Sequence, residues 1–230
     1  MLATELLVVT QVAPYADGPA GVHGVLDQAA LAVAQIAEPQ GLRSQRVDEV
    51  RALEPDAIAR ARALALFTIG ETPWSAAQRD AMLMGLRAGS LAILAIHSAT
   101  DSCYGWADYG RVVGARFAGH PWTQTLDLDV MEPEHPATAH LGKVWRWHDE
   151  VYQFRDLRSD ARVLLRAPSA QLDLGARGAS EPAFGFPLSW CFGEGDGRVF
   201  STSLGHFPAA WENPAYLRHL AGGLAWALGD

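Results

Sequence analysis

Eight histidines are spread over this chain of 230 residues, and four of them fall where a side chain is released from secondary structure. His97 closes the apolar run Leu91-Ala92-Ile93-Leu94-Ala95-Ile96 and opens His97-Ser98-Ala99-Thr100-Asp101. His206 closes a later run in Leu204-Gly205-His206, His23 follows a Gly/Pro-rich loop from Pro14 to Gly21, and His120 stands between Gly119 and Pro121. An imidazole titrates near neutrality, so it takes and returns a proton, and its neutral ring is a metal ligand. Acids accompany these residues: Asp101, and the pair in His148-Asp149-Glu150-Val151-Tyr152-Gln153-Phe154. Neighbours on an extended strand point to opposite faces, so one acid of the pair enters a cleft. Glu150, which shares its face with Tyr152 and Phe154, is the expected one.

Two chemistries follow from these residue types. In the first, His97, His206 and Glu150 are the expected catalytic groups of an acid–base reaction, one taking a proton from carbon and another protonating an oxygen. His23, Asp101, Trp106, Tyr109, His120 and Tyr152 are then expected to bind substrate, because a flat aromatic wall with a polar rim suits a pyranose ring. In the second, His23, His97, His120 and His206 with Asp101 or Glu150 offer the donors that zinc or another divalent ion prefers. No two of them have local ligand spacing such as His-x-x-x-His, so folding would have to assemble the set. No cofactor is specified by the sequence, and a divalent metal is left open. Each residue also has a structural role open to it. His97 and His206 can tie strand ends to carbonyls, His120 can make a turn, Asp101 can cap Gly105 to Tyr109, and Trp106 and Tyr109 can be core. His135, His140, His148 and His219 have no place at a strand's carboxyl end and are expected to be structural or solvated.

The elements that must position these groups alternate in the first hundred residues. Leu6–Val12 predicts a buried strand, Val25–Ala37 a helix stopped by Pro39 and Gly41, Leu42–Val47 a second strand and Ala63–Ile69 a third. Ser75 with Gln78 predicts a capping box for a helix running to Ala88, with Gly89 as its C-terminal stop. The strand ending at His97 follows. Such alternation implies a mostly parallel sheet covered on both faces, where ligands bind outside the carboxyl ends of the strands. The second half predicts a short helix over Asp108–Val113 and strands over Thr123–Val130, Trp145–Phe154, Arg162–Ala167, Leu188–Phe192 and Val199–Leu204. Asn213-Pro214 starts a closing helix through Leu228.

Composition narrows the class. An apolar share of 49%, a charged share of 19% and a net charge of −8 describe a globular, mildly acidic chain rather than a disordered or nucleic-acid-binding one. No apolar stretch is long enough to span a bilayer, and the residues after Met1 lack a basic leader, so a cytoplasmic location away from membranes is expected. Cys103 and Cys191 are too few for a disulfide framework and are expected to be reduced thiols. With no repeat or linker, residues 1–230 read as one domain. A homodimer is compatible with the sequence, but no coiled coil or repeat calls for one.

The segments Ala95-Ile-His-Ser-Ala-Thr-Asp101, Tyr109-Gly110 through Phe117-Ala-Gly-His-Pro121, His135-Pro136-Ala137-Thr138, Asp149-Glu150-Val-Tyr152 with Phe154, and Leu204-Gly-His206 occur in one order along nearly the whole chain. In that order the chain resembles the trehalose-utilisation (ThuA-like) family of the class I glutamine-amidotransferase-like superfamily. The resemblance implies a flavodoxin-like α/β fold with additional strands in the second half, and a role in carbohydrate catabolism acting on keto-sugars or disaccharide derivatives such as a 3-keto-glycoside. The superfamily carries a nucleophilic cysteine after the buried strand. Here His97 stands at that place, Cys103 lies several residues beyond it in a loop and Cys191 falls inside a buried-looking strand; neither is well placed as that nucleophile, so a glutaminase reaction is not expected. Family members often carry Arg-His after the first strand, whereas this chain has Val22-His23, which signals a different sugar or anionic group if that arginine contacts substrate. The alternative to an enzyme is a non-catalytic amidotransferase-like module that binds a sugar or a protein.

Overall fold

Five of the predicted strands become adjacent parallel strands, and the alternation of the four apolar ones supplies two cores at once. The computed structural model describes residues 5–21 and 23–229, so Val22 and its departure from the family pattern lie outside the described residues. In chain order the elements are β1 (Glu5–Val9), β2 (Pro14–Tyr15), β3 (Gly18–Ala20), α1 (Leu26–Ala37), β4 (Arg43–Val47), α2 (Pro55–Arg60), β5 (Ala63–Leu66), α3 (Ala76–Arg87), β6 (Ala92–Ile96) and α4 (Tyr109–Val113). They continue with β7 (Arg116–Val130), β8 (Val144–Arg155), β9 (Arg162–Ala167), β10 (Phe186–Glu194), β11 (Gly197–Thr202), α5 (Pro208–Trp211) and α6 (Pro214–Leu228). Nine strands form one sheet in the order β4-β1-β5-β6-β11-β10-β9-β7-β8. The block β4-β1-β5-β6-β11 is parallel, and β10, β9, β7 and β8 extend it with antiparallel pairings. The α/β fold with added second-half strands is therefore the one expected.

Alternate residues of each strand serve opposite faces. Leu6, Val8, Ala63, Ala65, Leu94 and Ile96 pack with α1 and α6 on one side. Leu7, Val9, Leu64, Leu66, Ile93 and Ala95 pack with α2, α3 and α4 on the other. A sheet buried on both faces needs unbroken apolar runs, and those are what the sequence shows. Each fully buried Leu or Ile adds roughly 1.5–3 kcal/mol. The capping box forms as predicted: Gln78 N–H donates to Ser75 Oγ at 3.3 Å and Ser75 N–H to Gln78 Oε1 at 2.8 Å.

Several boundaries differ, each for a local reason. The third strand stops at Leu66, and Ile69 and Gly70 instead make isolated bridges to Val12 and Ser102. The Pro14–Gly21 loop contains the small hairpin β2–β3, and the short helices α2 and α5 are too brief for an apolar period to register. β7 starts at Arg116, well before Thr123, because Gly119 and Pro121 are absorbed by breaks in its register against β8.

His135, His140 and His219 take structural places, bonding to backbone groups of Ala137, Ala215 and Ala137 respectively, while His148 is exposed to solvent. His219 on α6 is fully buried between Phe200 and Trp145, with Nδ1 2.8 Å from the Ala137 carbonyl and no partner for Nε2. Burial pushes its pKa down to about 3. An unfolded His binds a proton below about 6.5, so across this window unfolding takes up a proton. The contribution is complete above the unfolded value and is lost as pH falls toward the folded one. His219→Gln should therefore flatten the acid limb of stability by up to ~1.4 kcal/mol per pH unit. Urea unfolding at stepped pH checks this, and an unchanged slope would contradict a neutral buried ring.

Candidate functional site

The register of β6 beside β11 builds the centre of the site. Ile96 pairs with Thr202, so the residues that follow them, His97 and Ser203, leave the sheet side by side. His97 turns sharply there, with φ of 49° in the left-handed region that a side-chain-bearing residue occupies only under constraint. Its ring is fully buried, and Nδ1 lies 2.7 Å from the Ser203 carbonyl oxygen. A carbonyl only accepts, so Nδ1 carries the hydrogen and the lone pair of neutral His97 is on Nε2. Burial pushes this ring's pKa down to about 4 despite the Ser203 bond, which keeps it neutral.

Around His97 Nε2 stand Tyr152 Oη at 3.2 Å, His206 Nδ1 at 3.3 Å and Glu150 Oε2 at 3.7 Å. His206 comes from the segment after β11, where Gly205 has φ of 118° and lies so close to α6 that a Cβ would meet Tyr216 Oη at 2.5 Å. Glu150 and Tyr152 come from β8, which the strand order puts at the sheet's far edge. They reach the end of β6 because the start of β7 is pinned to the loop after it. Buried Arg116 donates to the carbonyls of Ser102 at 3.2 Å, Cys103 at 3.0 Å and Trp106 at 2.7 Å, and β8 pairs with β7 along that length. His120 lies in the irregular stretch of β7, where it stacks on Tyr152 and puts Nδ1 3.6 Å from Glu150 Oε1. His23, beyond the β2–β3 hairpin, sets its ring 5.0 Å from that of His97 and 5.7 Å from that of His206.

The electrostatics separate these groups into two kinds. The Glu150 hydrogen bond at 3.2 Å raises the His206 pKa above its ordinary value, in spite of partial burial. For Glu150, burial pushes upward, but the His206 bond and the charges of the neighbouring histidines outweigh it and bring the pKa below the ordinary value. Both shifts favour an imidazolium–carboxylate pair over a neutral one. His23 is of the other kind, with burial first and the nearby histidines second taking it down to about 3. Burial drives the Tyr152 phenol well above its usual value, so its hydroxyl is a donor that keeps its proton.

Of the nine residues expected at the site, six come together: His23, His97, His120, Glu150, Tyr152 and His206. Three do not join the cluster through their own contacts. Asp101 spends both oxygens on Tyr15 and Tyr104, which donate at 2.6 and 2.5 Å. Trp106 and Tyr109 pack in the core beside α3 and α4, with Tyr109 fully buried, so neither is a sugar-facing wall. Asp149 is the residue sequence reasoning passed over. It is buried on the face opposite Glu150 and accepts four hydrogen bonds, from the amides of Glu150 at 3.0 Å, Gly205 at 2.8 Å and His206 at 3.2 Å and from Trp147 Nε1 at 3.0 Å. The signal was present in the alternation: Trp147 and Asp149 share a face, and a buried carboxylate needs donors. Both cysteines are buried and free, and burial pushes their thiols up to about 11 for Cys103 and about 12 for Cys191.

The profile of the ThuA trehalose-utilisation family matches residues 15–227, which includes every residue of this cluster. The chain belongs to the ThuA family. Membership implies a role in trehalose utilisation, within carbohydrate metabolism. Among solved structures, a ThuA-like protein from Bacteroides uniformis is 17% identical with a TM-score of 0.76, covering 98% of this chain and 91% of that one. A ThuA-like protein from Parabacteroides merdae is 18% identical with a TM-score of 0.74, covering 99% and 90%. A GMP synthase-type protein from Thermoplasma acidophilum is 10% identical with a TM-score of 0.52, covering 98% and 96%, a more distant likeness of fold alone. No curated protein matches the sequence. Among the described residues of this ThuA protein, no helix is long and apolar enough to cross a membrane.

Proposed function

We propose that this ThuA protein acts on a keto-sugar derivative, a 3-keto-glycoside, by moving a proton next to the ketone. The observation that carries the reading is the convergence of His97 Nε2, His206 Nδ1 and Glu150 Oε2, which stand 3.2 to 3.7 Å from one another, with His97 fully buried and Glu150 and His206 partly exposed. A ketone at C3 acidifies the C2–H bond. The Glu150 carboxylate accepts that proton while the electron pair forms the C2–C3 double bond of an enolate. The N–H of the His206 imidazolium meets the charge that develops on the keto oxygen, and the neutral His97 lone pair holds His206 in place. When the enolate collapses, C3=O re-forms, C1=C2 forms and the C1–oxygen bond breaks. The leaving oxygen departs with the proton held by Glu150. Water then adds across C1=C2, and the net result is hydrolysis of the glycoside. Reprotonation before the bond breaks gives an isomer instead.

The experiment is turnover of 3-keto-trehalose by the purified protein, followed by the release of free sugar. Release that disappears in the His97→Ala/His206→Ala double variant supports the reading, and turnover that survives in that variant sinks it. Saturable sugar binding with no turnover by the wild type replaces the enzyme with a binding module on the same fold.

A further inference from the structure

We propose that His23, His97 and His206 hold one divalent transition-metal ion of the zinc class, with the Glu150 carboxylate beside the ion's open position. The proposal rests on the reading of this cluster as the keto-sugar site and supplies that site with its electrophile. One nitrogen from each of the three histidines lies within 4.8 Å of the others. Two nitrogens bound to zinc at ~2.0–2.1 Å in a tetrahedron are about 3.3–3.4 Å apart. His97 Nε2 and His206 Nδ1 are separated by 3.3 Å.

Two independent features point to the same occupant. His97 donates its Nδ1 hydrogen to the Ser203 carbonyl at 2.7 Å, the backbone bond that fixes the tautomer of metal-binding histidines and aims the other nitrogen at the ion. His23 has both ring nitrogens shielded from solvent and, among the described residues, no hydrogen-bond partner for either. Buried polar atoms are normally satisfied, and a ring beside two other imidazoles with its lone pair unspent is short of a partner that no described protein group supplies. Three neutral imidazoles select zinc, cobalt, nickel or copper over magnesium and calcium, which take oxygen ligands.

An ion here takes the place of the proton shared by His206 and Glu150, and that proton is released to solvent on binding. The ion then polarises the keto oxygen, as the His206 N–H does in its absence. Glu150, with Oε2 3.2 Å from His206 Nδ1 and 3.7 Å from His97 Nε2, remains the base next to it.

The test uses full-length protein made without a histidine tag, stripped with a chelator and titrated with Zn²⁺ and Co²⁺. The expected result is one equivalent of metal by elemental analysis and the visible absorption of tetrahedral Co²⁺. His23→Gln, which removes no hydrogen bond, should weaken uptake by more than ~100-fold, beyond the cost of losing an outer-shell partner. His148→Gln, away from the cluster, should leave uptake unchanged. If His23→Gln fails to fold, His206→Gln gives the same readout from a partly exposed ring. Absence of stoichiometric uptake, or uptake indifferent to both variants, overturns the proposal. Full turnover by stripped protein in chelator also overturns it while leaving the proton chemistry standing. One equivalent of metal with no turnover of any 3-keto-glycoside keeps the ion and removes the substrate reading.

Discussion

Glu150→Gln should lower turnover of a 3-keto-glycoside by about 10²- to 10⁴-fold, the usual worth of a positioned general base. The exchange keeps the shape of the side chain and one acceptor oxygen, which can stay on His206 while the amide N–H₂ faces half-exposed His120, so binding should change little and the loss should fall on kcat. Glu150 is suited to this test because, among the described residues, it is the only acid that pairs with the rings of the histidine cluster: Oε2 meets His97 and His206, and Oε1 meets His120. Its side chain is 11% exposed, so the carboxylate is largely withdrawn from bulk water. Steady-state kinetics alongside thermal unfolding separates the cases. A large fall in kcat at an unchanged melting temperature supports the assignment. Full activity in the Gln variant assigns the proton to another group and leaves Glu150 as a partner that only holds His206.

Much of this arrangement was legible in the residues, because the two periodicities of a sheet act locally. Leu91 to Ile96 is short, branched and apolar throughout, which a strand buried on both faces requires, and so the place of His97 at its end could be read directly. Choosing Glu150 over Asp149 for the cluster followed from alternation along β8 and agrees with the contacts. What alternation does not contain is the long-range pairing. The strand order puts β8 at the sheet's edge, and only the guanidinium of Arg116 on three loop carbonyls shows how β7 and β8 come to the end of β6. One arginine in a sequence does not announce that it will be buried against carbonyls.

Trp106 and Tyr109 failed as site markers for a related reason. They follow the His97 turn closely in sequence, but the helical turns between them direct both rings into the core beside α3 and α4. Nearness along the chain is a poor guide once the chain leaves a strand, since each residue of a turn faces a new direction. Tyr152, far away in sequence but on the Glu150 face of β8, reaches His97 where they do not. Asp101 shows the same limit for a carboxylate. Its neighbours Tyr104 and, across the β2–β3 hairpin, Tyr15 claim both oxygens before a ligand can.

Asp149→Ala should be the most destabilising single change at the site, although Asp149 makes none of the contacts within the histidine cluster. Its carboxylate is 3% exposed and receives the amides of Glu150, Gly205 and His206 together with the Trp147 indole. Burial pushes its pKa up, and the four donors draw it back without fully cancelling that rise. Removing it orphans four donors, each costing ~1–3 kcal/mol when buried, and water entering the space recovers part of this. A net loss of about 4 kcal/mol is expected, which for a chain of this size lowers the melting temperature by roughly 8–16 °C. Asp149→Asn retains one acceptor but turns an amide N–H₂ toward N–H groups, so it should fall between alanine and wild type. Activity should decline further than stability alone explains, because two of the lost bonds hold Gly205 and His206, and the His206 ring must stay within 3.3 Å of His97. Urea unfolding and turnover measured on both variants test the two halves together. An alanine variant as stable as wild type would mean that these amides find other partners, and one with full kcat would mean that His206 is placed by α5 and α6 without help from β8.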